Sequence, residues 1–325
     1  MRAAWYQRNG SARDTLVVGE MPDPEVGPGE VLVRVAASGV NPSDCKTRAG
    51  SRPMLAARIV PHNDGAGIIE KVGAGVAPDR VGQRVWLWNG QWKRPFGTAA
   101  EYVSLPAEQA VPLPDGTRFE EGACLGIPAL TALRAVTVDG SPEGQRILVS
   151  GGAGAVGHYA IQFAKLLGAA QVIATVSSPA KAEHARAAGA DVLIDYRRED
   201  VVGRVRDATD GRGVDRVVEV DAAANMHLVP QVVAREGLCV VYGSGAAEVS
   251  CPFGPMIMSG AAIRFFIVYE LSPEARRETV DTLTGWLQGG LVRHAVAATF
   301  ALDDIVAAHE AVESGAVMGN VVVRP

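Results

Sequence analysis

A glycine-rich turn, GGAGAVG at Gly151 to Gly157, lies between the apolar run RILVS and the amphipathic stretch HYAIQFAKLLG. Gly152, Gly154 and Gly157 carry the spacing G-x-G-x-x-G where a strand should pass into a helix, and that context gives the pattern its weight. The spacing assigns the tight turn to Gly152, close approach of a pyrophosphate to Gly154, and close packing of helix on sheet to Gly157. The N–H groups that open the helix, at Ala155 and Val156, then face the anion. The plain alternative is a strand–helix turn without a ligand. The turn lacks the terminal Gly-Lys-Ser/Thr of a Walker loop, which sets aside a kinase or ATPase. FAD is disfavoured because the turn is internal and follows a complete β-rich segment.

Around this turn the chain has two textures. Residues 1 to 123 hold short β-type runs broken by glycine and proline: EVLVRVAA at 30–37, GAGIIEKV at 65–72, and runs at 84–88 and 99–105. They predict a compact, mostly β domain. From 124 to 290, strand candidates alternate with helical stretches of ten to fifteen residues, the mark of βαβ units. Strands are expected at 147–149, 171–176, 192–194, 215–220, 238–242 and 262–267, with helices from Val156 and over 180–188. Six parallel strands complete a doubly wound sheet. Beyond 290, a strand at 295–299, a helix over 303–313 and a strand at 320–323 are expected to return to the first domain. The fold class is therefore α/β, a Rossmann domain (124–290) inserted into a β-rich domain (1–123 and 291–325).

The end of the second strand reads Thr175-Val176-Ser177-Ser178. An NAD site places a carboxylate there to hold the ribose 2′-hydroxyl. Here there are hydroxyls at Ser177 and Ser178, and Lys181 follows with a positive charge. Tyr196, ending the third strand, and Arg197 are further partners for a 2′-phosphate. The pattern reads as NADPH. The bland reading of Lys181 is a solvated residue at a helix start.

Composition narrows the rest. A formal charge of −5 over 325 residues offers no broad cationic surface for nucleic acid. The four cysteines form no C-x-x-C pair. The N-terminus lacks a signal-peptide core, and no stretch approaches eighteen uninterrupted apolar residues. A soluble cytoplasmic protein is the expectation.

Several segments together make the chain resemble the medium-chain dehydrogenase/reductase superfamily, and within it the zinc-independent quinone oxidoreductase family that includes zeta-crystallin. They are GVNPSD (39–44), NDGAG (63–67), GTAAEY (97–102), LGIPALTA (125–132), the glycine turn and VYGSG (241–245). The resemblance implies a GroES-like fold for the β-rich domain. Zinc enzymes of the superfamily place a cysteine where this chain has Asn41 and a histidine where it has Asn63; an amide is a poor zinc ligand. The four-cysteine structural zinc lobe is missing as well. Asp44 and Asp64 would hold a cation only if folding joined them, and helix-start or turn roles are the alternative. His62 reads as a turn or surface histidine. No metal is expected.

The resemblance places Asn41 and Thr131 at the nicotinamide and substrate, Asn41 for orientation and polar stabilisation. Gly243 and Ser244 end the fifth strand, where the backbone approaches the cofactor. Phe265 and Phe266 pack on the nicotinamide or belong to the sheet core. Candidate substrate-pocket residues are Lys46, Arg48, Asn63, Trp88 and Trp92. Lys46 and Ala129 stand where the family has tyrosines, so Lys46 either favours an anionic substrate or points into water. Trp86, Trp88 and Trp92 roof a pocket, form a hairpin core, or make a subunit contact. The leading reading is an NADPH-dependent quinone or enone reductase, with a homodimer implied by the family. The alternatives are a zinc-free alcohol dehydrogenase or enoyl reductase, and a non-catalytic NADPH-binding protein with an RNA-binding or structural role.

Overall fold

The structure, a computed structural model, describes residues 1–325. It divides into two compact units, Met1–Pro128 with Thr284–Pro325, and Ala129–Leu283.

The first unit begins with an antiparallel pair, β1 (Arg2–Trp5) and β2 (Val17–Glu20). Its main sheet uses β3 (Glu30–Val40), β4 (Asp64–Val72), β5 (Arg84–Leu87), β6 (Tyr102–Pro106) and β7 (Ala110–Pro112). β3 is eleven residues long and pairs antiparallel with both β4 and β6. Its alternation buries Val31, Val33 and Val35 against Ile69, Val85, Leu87, Val103 and Leu105. The run expected from Ala99 starts as a strand only at Tyr102, because Ala99 and Ala100 face the first strand instead: Ala99 O accepts from Ala4 N, and Ala100 bridges Ala3.

The second unit is a six-stranded parallel sheet of β8 (Arg146–Val149), β9 (Gln171–Val176), β10 (Val192–Asp195), β11 (Val214–Glu219), β12 (Val233–Val241) and β13 (Ala262–Phe265). Their order is β10-β9-β8-β11-β12-β13, the doubly wound order of a Rossmann domain. Helices Ala155–Leu166, Pro179–Ala188 and Val201–Ala208 separate the early strands. Near-continuous apolar runs such as RILV and QVIATV fit strands covered on both faces. β12 starts five residues before its expected position, because Val233 pairs with Val214 before the ladder breaks around Glu236, whose φ is 60°.

β14 (Val296–Ala301) and β15 (Asn320–Arg324) complete the first unit. β15 pairs antiparallel with β3, Val322 opposite Gly39, so the last strand lies inside the main sheet of the first unit. The helix Ile305–Glu313 packs Ile305 and Ala308 with Tyr6, Ile59 and Val321 in a second core. No helix is long and apolar enough to cross a membrane.

The glycine turn joins β8 to the helix Ala155–Leu166 beside the switch in strand order. The left-handed residue is Gly151, with φ of 68°, and not Gly152. Gly152 is needed for packing, since a Cβ there would meet Ala174 Cβ at 2.7 Å. At Gly157 a Cβ would lie 2.2 Å from the Gly151 carbonyl oxygen, so only glycine lets the helix start this close to the turn. Replacement Gly157→Ala should therefore destabilise the second unit by roughly 1–3 kcal/mol, the usual cost of overpacking. Chemical denaturation of both proteins measures this; equal midpoints would show that the turn has slack.

Candidate functional site

In the second unit, the helix Ala155–Leu166 begins at Gly154, whose side-chain-free N-cap supplies no capping hydrogen bond. The first N–H groups of a helix have no intrahelical acceptor. Here they and the positive end of the dipole form an anion cradle. A Cβ on Gly154 would meet only the Gly151 oxygen, at 3.3 Å, so the space in front of the turn is open. Thr175 ties the turn down: its Oγ1 accepts from Gly151 N at 3.0 Å and its carbonyl accepts from Gly152 N at 2.9 Å.

At the end of β9, Ser178 is the N-cap of Pro179–Ala188 and its Oγ accepts from Lys181 N at 3.3 Å. The hydroxyl keeps its own proton for a further acceptor. Ser177 and Lys181 are half-buried beside it, and Tyr196 is half-exposed at the end of β10. A cavity of about 400 Å³ opens at these strand ends, lined by Ser150, Gly151, Thr175, Tyr196, Glu219 and Asp221 among others. That size suits a substantial part of a dinucleotide.

Glu219 is a residue that sequence reasoning missed. It is buried at the end of β11 and its carboxylate accepts from Ser150 Oγ (2.7 Å), Asp221 N (2.6 Å) and Asn225 Nδ2 (2.8 Å). It thereby fixes the ends of β8 and β11 relative to each other. Its only signal was a carboxylate inside the apolar run DRVVEV. Gly243 follows β12 where a Cβ would meet the Val220 oxygen at 2.3 Å, and Ser244 turns its hydroxyl to Ala246 O. Thr131 is buried in the first turn of the helix Leu130–Thr137. Phe265 is 60% exposed on the edge strand β13 and Phe266 half-buried, so neither is sheet core.

The first unit holds a buried polar cluster. Asn41 Nδ2 donates to Asp64 Oδ2 at 2.9 Å, and Asn63 Nδ2 donates to Asp44 Oδ1 at 2.9 Å. The backbone N–H groups of Asn41 and Ile127 complete the set, on Asp44 Oδ2 and Asp64 Oδ2 respectively. Asp44 lies in the first turn of the short helix Pro42–Lys46, whose N-cap is Asn41, and desolvation pushes its carboxyl up to about 6 despite these donors. Folding thus joins the two carboxylates through two amides. No group of three His, Cys, Asp or Glu side chains converges to hold a metal.

Behind this cluster runs a chain of hydrogen bonds whose direction can be deduced. Arg48 has only donors, so its Nε at 3.4 Å makes His309 Nδ1 an acceptor. His309 Nε2–H then donates to His62 Nε2 at 2.9 Å, and His62 Nδ1–H donates to Ser38 Oγ at 2.8 Å. Ser38 donates to Thr98 Oγ1 at 2.8 Å, and Thr98 to the Asp64 carbonyl at 2.6 Å.

Three sequence expectations need correction here. His62 has the left-handed backbone of a turn, φ 77°, but it is fully buried and not a surface histidine. Arg48, expected in the substrate pocket, is fully buried and bonds Glu313, Gly10 O and His309. Trp88 is buried, and Trp86 lies within β5 opposite Val111 of β7, so these two indoles belong to the sheet core and not to a pocket roof. Trp92 lines a cavity. Lys46 is exposed on its helix, and Asn63 is buried, receiving Gln91 N on its Oδ1 at 3.2 Å.

An anion cradle at the β8 crossover and a polar cluster on a separate GroES-like sheet define a two-domain dehydrogenase architecture. The comparisons agree. Residues 27–115 match the alcohol dehydrogenase GroES-like domain and residues 155–285 the zinc-binding dehydrogenase domain. A quinone oxidoreductase of Pseudomonas aeruginosa is 34% identical over 310 residues, 93% of each chain. An alcohol dehydrogenase of Geobacillus stearothermophilus is 28% identical over 336 residues, 96% of each. The crystal structure of Escherichia coli quinone oxidoreductase complexed with NADPH superposes with a TM-score of 0.91 at 27% identity, covering 100% of both chains. The chain belongs to the quinone oxidoreductase family of the medium-chain dehydrogenase/reductase superfamily. It is an oxidoreductase.

Burial pushes His62 down to about 3 and His309 well below its usual value, with the Arg48 charge adding to the latter. An unfolded histidine titrates near ~6.5, so below that pH the unfolded chain binds more protons at these sites and stability falls as pH falls. Asp44 acts with the opposite sign between roughly 4 and 6, since its native form holds a proton that the unfolded chain has lost. Two histidines outweigh one carboxyl. The thermal midpoint should drop from pH 7 to pH 5, and the slope should flatten in the double variant His62→Asn, His309→Gln. Asparagine is chosen for its tolerance of positive φ. An identical slope in the variant would remove the histidines from the account.

Proposed function

We propose that this protein is an NADPH-dependent reductase of electron-poor conjugated carbonyls, quinones or enones, and that it works without zinc. The observation that carries the reading is the uncapped helix start at the glycine turn, beside a β9 end with two serines and a lysine in place of a carboxylate. An acidic group there would repel a 2′-phosphate; Ser177, Ser178, Lys181 and Tyr196 offer it donors and charge. NADPH supplies a hydride from its nicotinamide C4. Gly154, Ala155, Val156 and Gly157 receive the pyrophosphate. Thr131, Gly243, Ser244, Phe265 and Phe266 are assigned to the nicotinamide side.

Zinc does not suit the residues present. The amide nitrogens of Asn41 and Asn63 point at the carboxylates of Asp64 and Asp44, so each carboxylate already faces an N–H. His62 faces Ser38 and His309. We assign Asn41 to the developing oxyanion. Its amide nitrogen has two protons, and the bond to Asp64 fixes the plane in which the second one lies. A conjugated acceptor needs less polarisation than a saturated ketone, which suits a neutral donor. Phe253, Ile257, Met258 and Phe265 are exposed large apolar side chains, which we assign to a homodimer contact.

A panel of quinones, enones and saturated ketones with NADPH and NADH side by side tests this directly. Quinones or enones should be reduced and saturated ketones not; reduction of saturated ketones alone would replace the reading with an alcohol dehydrogenase. Asn41→Ala should lower kcat about 10²-fold, as loss of one oxyanion donor does. A change confined to KM would deny it that role.

The 2′-phosphate assignment has its own test. Lys181→Ala should raise KM for NADPH much more than KM for NADH. Equal effects on the two cofactors would leave Lys181 a helix-start residue and nothing more.

A further inference from the structure

A second cavity lies in the first unit. Its volume is about 180 Å³, and it is lined by Tyr6, Met54, Leu55, Ile59, Trp92 and the two cations Arg52 and Lys93. A dry apolar cavity of about 150 Å³ holds benzene, so this one admits a single six-membered ring. No acidic side chain lines it.

The walls are linked to the amide–carboxylate cluster. Gln91, a lining residue, donates its N–H to Asn63 Oδ1 at 3.2 Å. The charge of Arg52 acts on Asp44, and that of Asp44 acts on Tyr6. Asp44 does not present an open carboxylate to the cavity, because Asn63 and Asn41 N occupy its two oxygens. The cavity wall is therefore linked through Asn63 and Asp44 to the cluster that holds Asn41.

Charge along the two wall segments is one-sided. From Cys45 to His62 the chain carries Lys46, Arg48, Arg52 and Arg58 and no acidic residue, and from Asn89 to Ala100 it carries Lys93 and Arg94 and again none. The chain as a whole is acidic, at −5. Arg48 is fully buried, and Arg52 and Lys93 line the cavity. The Arg52 guanidinium lies over the Trp92 ring, 4.3 Å from its centroid, and Lys93 Nζ lies 5.8 Å from the same centroid. A guanidinium carries its N–H donors around its planar edge, the geometry that recognises a carboxylate.

We infer that this cavity selects a one-ring conjugated acceptor bearing an anionic substituent, with the ring among Trp92, Met54 and Ile59 and the anion at Arg52 and Lys93. The inference rests on the reductase reading and names its substrate class. A matched pair of substrates tests it: cyclohex-2-enone, and 5-oxocyclohex-3-ene-1-carboxylate, whose charge sits on a saturated carbon that is not bonded to the enone. With the full chain and NADPH, kcat/KM should favour the carboxylate. Arg52→Gln should lower the ratio of the two kcat/KM values about ten-fold, the scale of a charged hydrogen bond. Lys93→Gln should lower it less, Arg52→Lys should restore part of it, and added salt should shrink it.

No preference in the wild type, or a ratio unmoved in both glutamine variants, overturns the inference and leaves the reductase reading standing. If neither enone is reduced and the quinone panel also fails, the reductase reading falls. Calorimetric titration of the carboxylate onto wild type and Arg52→Gln then decides the cavity by itself. Binding weakened in the variant supports the anion site, and equal or absent binding removes it.

Discussion

Two amides and two carboxylates brace the first unit where its chemistry is assigned. Asn41 reaches Asp64 and Asn63 reaches Asp44, so residues at the ends of β3 and β4 are tied crosswise. Each bond is charge-assisted and buried, and removing one partner would leave the other group desolvated and unpaired, a loss of about 1–3 kcal/mol or more. The brace depends on close approach: a Cβ at Gly126 would collide with Asp64 Oδ1 at 2.3 Å, and one at Gly39 with the Ala123 oxygen at 2.1 Å. Glycine at both positions lets the segment after residue 122 press against the ends of β3 and β4. The Asn41 side chain is thus held by a bond with a fixed direction, which a donor to a developing charge requires.

The second unit solves a comparable problem with backbone alone. Its cradle is made by a helix that starts too close to its strand for any side chain, and the turn is secured by Thr175 rather than by a cap. Leaving the helix start uncapped costs stability unless an anion or water satisfies it. Glu219 gives rigidity nearby without competing for that anion, because three donors already engage its carboxylate.

Much of this was legible in the sequence. The alternation of apolar runs and helical stretches specified six parallel strands, and the order found is the one expected of a doubly wound sheet. The strand–helix–strand run after residue 290 was legible from its punctuation; that its last strand pairs with β3 depends on contacts nearly 300 residues apart. What was not legible depends on which way a side chain faces. The glycine spacing located the turn, but φ of Gly151 is a property of the backbone path and not of the spacing. Arg48 reads as a pocket residue and His62 as a turn or surface residue from their local sequence; both are buried, and each has a partner over 240 residues away in sequence, Glu313 and His309. Trp88 reads as a pocket residue because three nearby indoles are costly to expose, and the fold meets that cost by burying two of them.

The buried histidines show why such a network is kept. Replaced by well-packed apolar residues, a polar chain of this kind is often neutral or stabilising, so stability alone does not explain it. Its directionality is more informative. Because Arg48 can only donate, both imidazole tautomers are set, and the chain must end on an acceptor, which is the Asp64 carbonyl reached through Ser38 and Thr98. Any other tautomer would place two donors or two acceptors face to face in a dry interior. The backbone of Asp64 is therefore held by this chain while its carboxylate is held by Asn41 and Ile127, so the same residue is pinned at both ends. That double restraint on Asp64 fixes the acceptor toward which the Asn41 amide points.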